Sequence, residues 1–432
     1  MPSLPQILTR LKTRLTRQAP APVEDEDGTL VPFDEMCARR PAKPSAAGAP
    51  PALSIACPDP TAEERRRDRH QARGQRLARQ EDWRALTALM AEADDARRAT
   101  PGGMPVAELL AFGARADVVQ AAEHALLTGT PAPGAPLLDG IAQLEEVLAA
   151  HPDDAMIAAI VAQAHLDIGW AWRGSARLAE VPRRNRAAFD AHLDRAATIV
   201  AAHPHAAQTS PFVAAVACAT GHGAHSDPDT TAAAFERLIS LDPSNARTFR
   251  AMGLRLLPRW GGRLDALELH ARRMAARTHA TWGAGGYTWV MLDAIACDDA
   301  ACAALDVPFF TDGLHDILER LQDQHVVNLL AAYCANTMGT QVDSSDEAAL
   351  VRAQIADCAG WIVRGRLTEL HPMIWAHAAR GFDQALRIRC MDRFAAAGLA
   401  DAHRILADLF RREIAAGQRI VFTETGPEAL PT

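Results

Sequence analysis

The sequence predicts an all-α fold in which antiparallel helix pairs stack into an α-solenoid or curved helical array. Three observations carry this reading. Alanine is abundant, while phenylalanine, tryptophan and tyrosine together make up 5% of the 432 residues. Such a mixture suits closely packed helices and lacks the β-branched and aromatic residues that strands favour. From Trp83 onward, apolar residues recur at helical rather than alternating spacing. Finally, a helix, a proline-containing turn and a second helix return three times, around HPDD (151–154), HPHA (203–206) and DPSN (242–245).

In chain order, residues 4–17 set Leu4, Ile7, Leu8, Leu11 and Leu15 on one helical face, with four cations and no acid on the rest. Such a segment can lie on an anionic membrane surface, dock in a partner's groove or pack on its own chain. Residues 18–60 are rich in proline, hold the acidic run Glu24–Asp27, and read with 1–17 as an N-terminal segment plus disordered linker. Thr61 and Glu64 have capping-box spacing, so order is expected to resume there. The arginine-dense run Arg65–Arg79 reads as a solvated helix face. Residues 61–136 form a first helical region, with helices through Trp83–Met90 and Leu109–Leu127 separated by TPGG (100–103).

The central segment, 137–280, holds the three turns. At each a helix ends, proline blocks its continuation, and polar residues open the next helix. Within Ala232–Ala276, Phe235 is followed eight residues later by Pro243, and the next helix carries Phe249 and Gly253. This register resembles the tetratricopeptide repeat, which places a large apolar residue, a terminal proline, an aromatic and a small residue at such positions. The turn prolines are 52 and 39 residues apart, against roughly 34 in a regular unit, so the resemblance implies a repeat with insertions. Thr231 also stands where the repeat has alanine. GWAWRG (169–174) followed by LLPRWGG (256–262) resembles, in addition, an uncharacterised bacterial family of tetratricopeptide-like proteins with a P-[KR]-W-G-G loop, although Arg263 replaces its serine. That resemblance implies a fold and carries no activity. Beyond it, a C-terminal helical region is expected over 281–417 and a frayed tail over 418–432.

Charge and cysteine content narrow the function classes. Residues 3–17 carry +4, residues 18–60 carry −4, residues 61–99 about +2 and the remainder −10, giving the net −8. An acidic body without a long basic face argues against nucleic acid as partner. Eight cysteines include no CxxC pair, and most sit in apolar helical runs, as small buried thiols do. The N-terminal stretch lacks the apolar core of a signal peptide, no long apolar run reads as a membrane span, and the expected compartment is the cytoplasm. Near-exclusive use of arginine over lysine fits a GC-rich bacterial genome.

No GxxxxGK[ST], HExxH or GxSxG sequence is present. Gly283-Ala284-Gly285-Gly286 lacks the third glycine and the preceding strand of a phosphate loop. His203, His205, His222 and His225, with Asp227, are metal ligands by type, but the two pairs flank a helix of about 15 residues and so stand roughly 22 Å apart. The better candidates lie in the two tryptophan turns. His165, Asp167, Trp172 and Arg173 accompany GWAWRG, and Arg259 and Trp260 sit in PRWGG. An arginine beside indoles can take a carboxylate or an aromatic side chain. The expected function is a non-enzymatic scaffold that holds a protein or peptide partner in a helical groove, without cofactor or metal. Two alternatives stand beside it: a small-ligand site or enzyme at the two turns, and a membrane-surface adaptor recruited by residues 4–17.

Overall fold

The computed structural model describes residues 52–127, 131, 139–174, 180–221, 228–339, 345–382, 388 and 390–431. The amphipathic stretch 4–17 and most of the 18–60 linker lie outside these residues. Within them the chain is predominantly helical, and helices pack mainly on their neighbours in sequence. Strand β1 (Leu53–Ser54) precedes α1 (Ala62–Arg79), α2 (Trp83–Asp95), α3 (Val106–Ala125), α4 (Asp139–Ala150), α5 (Ala155–Arg173), α6 (Arg183–Ala201) and α7 (Pro211–Thr220). There follow α8 (Pro228–Leu241), α9 (Ala246–Arg255), α10 (Leu264–Arg277), α11 (Gly285–Cys297), α12 (Val307–Arg320), α13 (Gln324–Ala332), α14 (Asp346–Arg366), α15 (Pro372–Ala378) and α16 (Met391–Leu409). Strands β2 (Gln418–Thr423) and β3 (Gly426–Pro431) end the described chain.

Local chemistry explains the helix starts. Thr61 and Glu64 form the capping box that their spacing implies: the Glu64 amide donates to the Thr61 hydroxyl at 3.2 Å, and the Thr61 amide donates to Glu64 at 2.8 Å. In HPDD, Asp154 accepts from the amides of Met156 and Ile157 and so opens α5. In DPSN, Asp242 accepts from Ser244 and Asn245 caps α9. HPHA behaves differently. His205 makes no side-chain cap, only a single helical turn follows at Ala206–Thr209, and Ser210 is the residue that caps α7. The cap of α14 is Ser345, which accepts from the Ala348 amide, so no glutamate stands at the box position.

Two clusters of buried side chains form the interior. One joins Met90, Leu110, Ile157, Ile160, Ile199 and Phe212. The other runs from Phe235 and Phe249 through Tyr287 and Trp375 to Ile420. Helix α7 serves both, giving Phe212, Val213 and Val216 to the first and Ala214 and Cys218 to the second. Its first turn is held from α2, where Asp94 accepts from the Ser210 hydroxyl at 2.6 Å and the Phe212 amide at 3.0 Å. The cores therefore divide inside the segment 137–280, not at its ends. Gly253 has the close-packing role expected of it: a Cβ there would stand 1.8 Å from the Val290 carbonyl oxygen of α11.

The predominantly helical character agrees with the expectation, and β1, β2 and β3 add a small sheet with β1 parallel and β3 antiparallel to β2. Two expectations change. The tail, expected to fray over 418–432, instead forms a hairpin over 418–431 whose Ile420 and Phe422 turn inward and whose Gly426 takes φ +118 in the turn. Pro427 and Pro431 suggested disorder, yet both sit on the edge strand, where a missing N–H costs no ladder bond. The end of the 1–60 linker is likewise ordered, since Ile420 N donates to Ala52 O and Leu370 N donates to Ala56 O.

Among the described residues one helix, α5, is long and apolar enough to cross a bilayer, and most of its residues are buried inside the protein. Among the described cysteines all are free; Cys218, Cys302, Cys334 and Cys358 are buried, whereas Cys57 and Cys297 are exposed. Cys37 lies outside the described residues.

Candidate functional site

GWAWRG is the last turn of α5 and its cap. Two residues along a helix turn a side chain by about 200°, so the two tryptophans diverge. Trp172 is 3% exposed and belongs to the core, whereas Trp170 is 39% exposed. Arg173, one turn on, shares the outer face with Trp170, and its guanidinium lies 5.2 Å from that ring. Arg173 donates one hydrogen bond, to the Gly174 carbonyl at 3.1 Å. Phe189 of α6 meets the Trp170 ring edge-on at 5.1 Å.

PRWGG reverses the chain after α9. Leu256 and Leu257 are buried, Pro258–Trp260 form one turn of 3₁₀ helix, and Gly261 takes φ +87, which only glycine adopts without strain. The amides of Trp260 and Gly262 both donate to the Leu257 carbonyl, at 2.9 and 3.2 Å. This turn lays Trp260, 44% exposed, over the guanidinium of Arg255 at 4.9 Å. Arg259 is exposed beside it and has no ion pair among the described residues.

Arg173 of the first turn exerts a weak electrostatic effect on Arg255 of the second. Arg255 is half-buried, and burial holds its guanidinium below the usual arginine value; Arg173 is near enough to push it further the same way. The remaining group acting on it is the Cys218 thiol, which burial raises to about 11 and which therefore stays protonated and neutral. Among the described residues no carboxylate pairs with either arginine. Each turn thus presents one indole beside one guanidinium that no carboxylate among the described residues pairs.

The other candidates do not join these pairs. His165 is buried in a chain of polar contacts between α4, α5 and α6. Arg195 Nε donates to Glu145 Oε1 at 2.7 Å, and His165 Nε2 lies 2.8 Å from the same oxygen. Burial would raise the Glu145 carboxyl, but the bonds from Arg195 and His165 overrule it and bring it to about 2. An ionised Glu145 needs a donor at His165 Nε2. His165 Nδ1 then accepts from His192 Nδ1–H at 2.9 Å, which leaves His192 Nε2 an unprotonated, buried acceptor without a partner. Burial, followed by the His165 ring, lowers His192 to about 3. Asp167 faces elsewhere and accepts from Arg115 Nε at 2.6 Å.

The structure therefore corrects two of the proposed contact residues. Trp172 and His165 are interior groups, placed there because their positions fall on the packed face of α5. Arg173, Arg259 and Trp260 remain on the surface, and Asp167 is held in an ion pair. Sequence reasoning chose Trp172 over the exposed Trp170 as the contact residue and did not find Arg255. The helical spacing of Trp170 and Arg173 was a readable signal; Arg255, five residues before Trp260, was readable only once the turn was known to fold back.

His203 is half-buried and His205 exposed, while His222, His225 and Asp227 lie outside the described residues. Among the described residues no three histidine, cysteine or acidic side chains converge as metal ligands. The glycines at 283–286 do not cradle a phosphate, because the Ala284 amide donates to Asp316 at 2.6 Å and a carboxylate occupies the loop. An open groove of about 660 Å³ runs between α10 and α12, with Arg272, Phe309, Asp312 and Asp316 in its walls, and none of the six candidate residues lines it.

Comparison with protein families, curated proteins and solved structures finds no match for this chain.

Proposed function

We propose that the chain is a tetratricopeptide-like scaffold of stacked helix pairs whose task is to hold a partner protein, and that Trp170, Arg173, Arg255 and Trp260 belong to the contact face. One observation carries this reading: each of two turns sets an exposed indole against a guanidinium that has no ion-pair partner among the described residues. Exposed tryptophan and arginine are the residues that concentrate binding energy at protein interfaces. The PRWGG turn supports it further, since a generic helical repeat has no need of a rigid reversal that sets a tryptophan on the surface.

The test is affinity capture from the native host with the full chain and with a Trp170→Ala/Trp260→Ala variant, each analysed by mass spectrometry. A partner held by the unaltered chain and lost from the variant supports the reading. Identical capture profiles overturn it.

A further inference from the structure

We infer that residues 4–17 of this chain dock in the groove between α10 and α12, setting Arg10, Arg14 and Arg17 against Asp312, Asp316 and Glu319. This goes beyond the interaction reading above and does not depend on it.

The groove, about 660 Å³ in volume, has walls of two kinds. Ala275 and Ala276 of α10 and Phe309 of α12 supply apolar surface, and α12 adds a stripe of three acids at 312, 316 and 319. Steps of four and three residues keep that stripe on one side of the helix over about 10 Å. Like charges at these spacings repel, so the stripe weakens α12 unless opposite charge lies over it. The described residues supply only part of that charge. Asp316 accepts from Arg320 at 2.7 Å and from the Ala284 amide at 2.6 Å, whereas Asp312 and Glu319 are exposed and have no ion pair among the described residues. Arg272 is held by Glu268 and Asp306. His315 stacks on Trp361 of α14 at 3.9 Å, and His279 acts on Asp316 from the opposite wall.

One segment of the sequence matches both walls. Residues 4–17 carry four cations and no acid, with Leu4, Ile7, Leu8, Leu11 and Leu15 at the spacing of an apolar helical stripe. Arg10, Arg14 and Arg17 repeat the four-and-three steps of the acids. Each arginine therefore meets one carboxylate when the two stripes run in the same chain direction. The leucines beside them then face Phe309 and the two alanines, as an amphipathic segment does in a groove. Reach is ample, because residues 18–51 at full extension cover roughly 110 Å, about twice the diameter of a compact chain of this length. A basic helix of another protein has the same chemistry, but a tethered segment is present at an effective concentration on the order of millimolar. The groove is thus filled by the chain itself, and the two tryptophan turns stay open to a partner.

The experiment uses the full chain. Trypsin cleavage after Arg14 is timed by intact mass, each rate being divided by that of the matching free peptide 1–18. Cleavage is expected to be at least about tenfold slower in the unaltered chain than in Asp312→Lys/Glu319→Lys, whose changes lie on the surface. Arg10→Glu/Arg17→Glu should lose the same protection. Joining the two pairs of changes should restore it, since each ion pair re-forms with its charges exchanged. In a further sample, Arg14→Lys places an amine on the stripe, and a zero-length carbodiimide should couple it to an α12 carboxylate within one molecule. Equal cleavage in all four chains, no recovery in the combined variant, or coupling only to acids outside α12 overturns the assignment. Protection that rises with protein concentration also overturns it, by giving the groove to the segment of a second copy.

Discussion

Acid should destabilise this protein well before its paired carboxylates titrate, and His192 is a main reason. In the folded chain this ring is buried against His165 and is held to about 3, against 6.5 when free. Between those values the unfolded chain binds a proton that the folded chain refuses. Stability therefore rises with pH by about 1.4 kcal/mol per unit across this window. At pH 5, about 1.5 units below the free value, the loss relative to neutral pH is about 2 kcal/mol. His325, lowered to about 4 by burial, by Arg67 and by His371, adds about 2 kcal/mol over the same interval. Glu145 acts later. Its carboxyl is depressed to about 2, so its contribution is complete above 4.5 and is lost as pH falls through the lower value. Replacing His192 by Gln removes one titration and keeps a polar side chain of similar size. Urea unfolding followed by tryptophan fluorescence at pH 7, 6 and 5 reads the effect. The His192→Gln variant should lose about 2 kcal/mol less than the unaltered chain between pH 7 and 5, whatever its stability at neutral pH. Equal pH slopes in the two proteins would refute the reasoning.

Four further outcomes can be checked. Gly253→Ala places a methyl group against the Val290 carbonyl and should cost about 3 kcal/mol or more, seen as a lowered unfolding temperature, because α9 must move away from α11. Glu145→Ala strips the two-point partner from Arg195 and the acceptor from His165 and should cost about 3–5 kcal/mol, measured by urea unfolding. Removing 418–431 uncovers the places filled by Ile420 and Phe422 and should increase binding of a hydrophobic dye along with loss of stability. Deleting residues 4–17 should reduce co-sedimentation with anionic vesicles if that segment recruits the protein to membranes; unchanged sedimentation would sink the adaptor reading.

What could be read from the sequence follows the range of the interaction. The helix starts at Thr61, Asp154 and Asn245 depend on groups two or three residues apart, and spacing alone found them. Ser344 and Glu347 have capping-box spacing, yet the helix is capped one residue later by Ser345, which spacing alone does not distinguish. Ile420 and Phe422 were visible as apolar residues but were read through the prolines that follow them. An edge strand tolerates those prolines, and edge status is a property of the sheet rather than the segment. In the candidate site, the two turns were legible as anomalies in a repeat. The pairing of Arg255 with Trp260 was not, since it depends on the reversal that the PRWGG turn imposes. The polar chain through Glu145, His165 and His192 was equally hidden: its members come from three helices, and each alone reads as an ordinary polar residue on a helix.

The pairing of β1 with β2 reaches beyond the small sheet it builds. In an open helical array the first and last units each leave one face without a neighbour, and a unit can be added or removed there. Here Leu53 pairs with Ile420 and Ser54 with Val421, while Glu63 at the start of α1 accepts from Gly102 and approaches the same side as His325 of α13. The early and late parts of the chain thus cover one another. This clasp ties the strand before α1 to the strand after α16. The clasp also joins residues more than 360 positions apart, a loop whose closure costs about 5 kcal/mol of chain entropy unless the intervening helices are already in place. The two ends should therefore be the last parts of the chain to lock and the first to open.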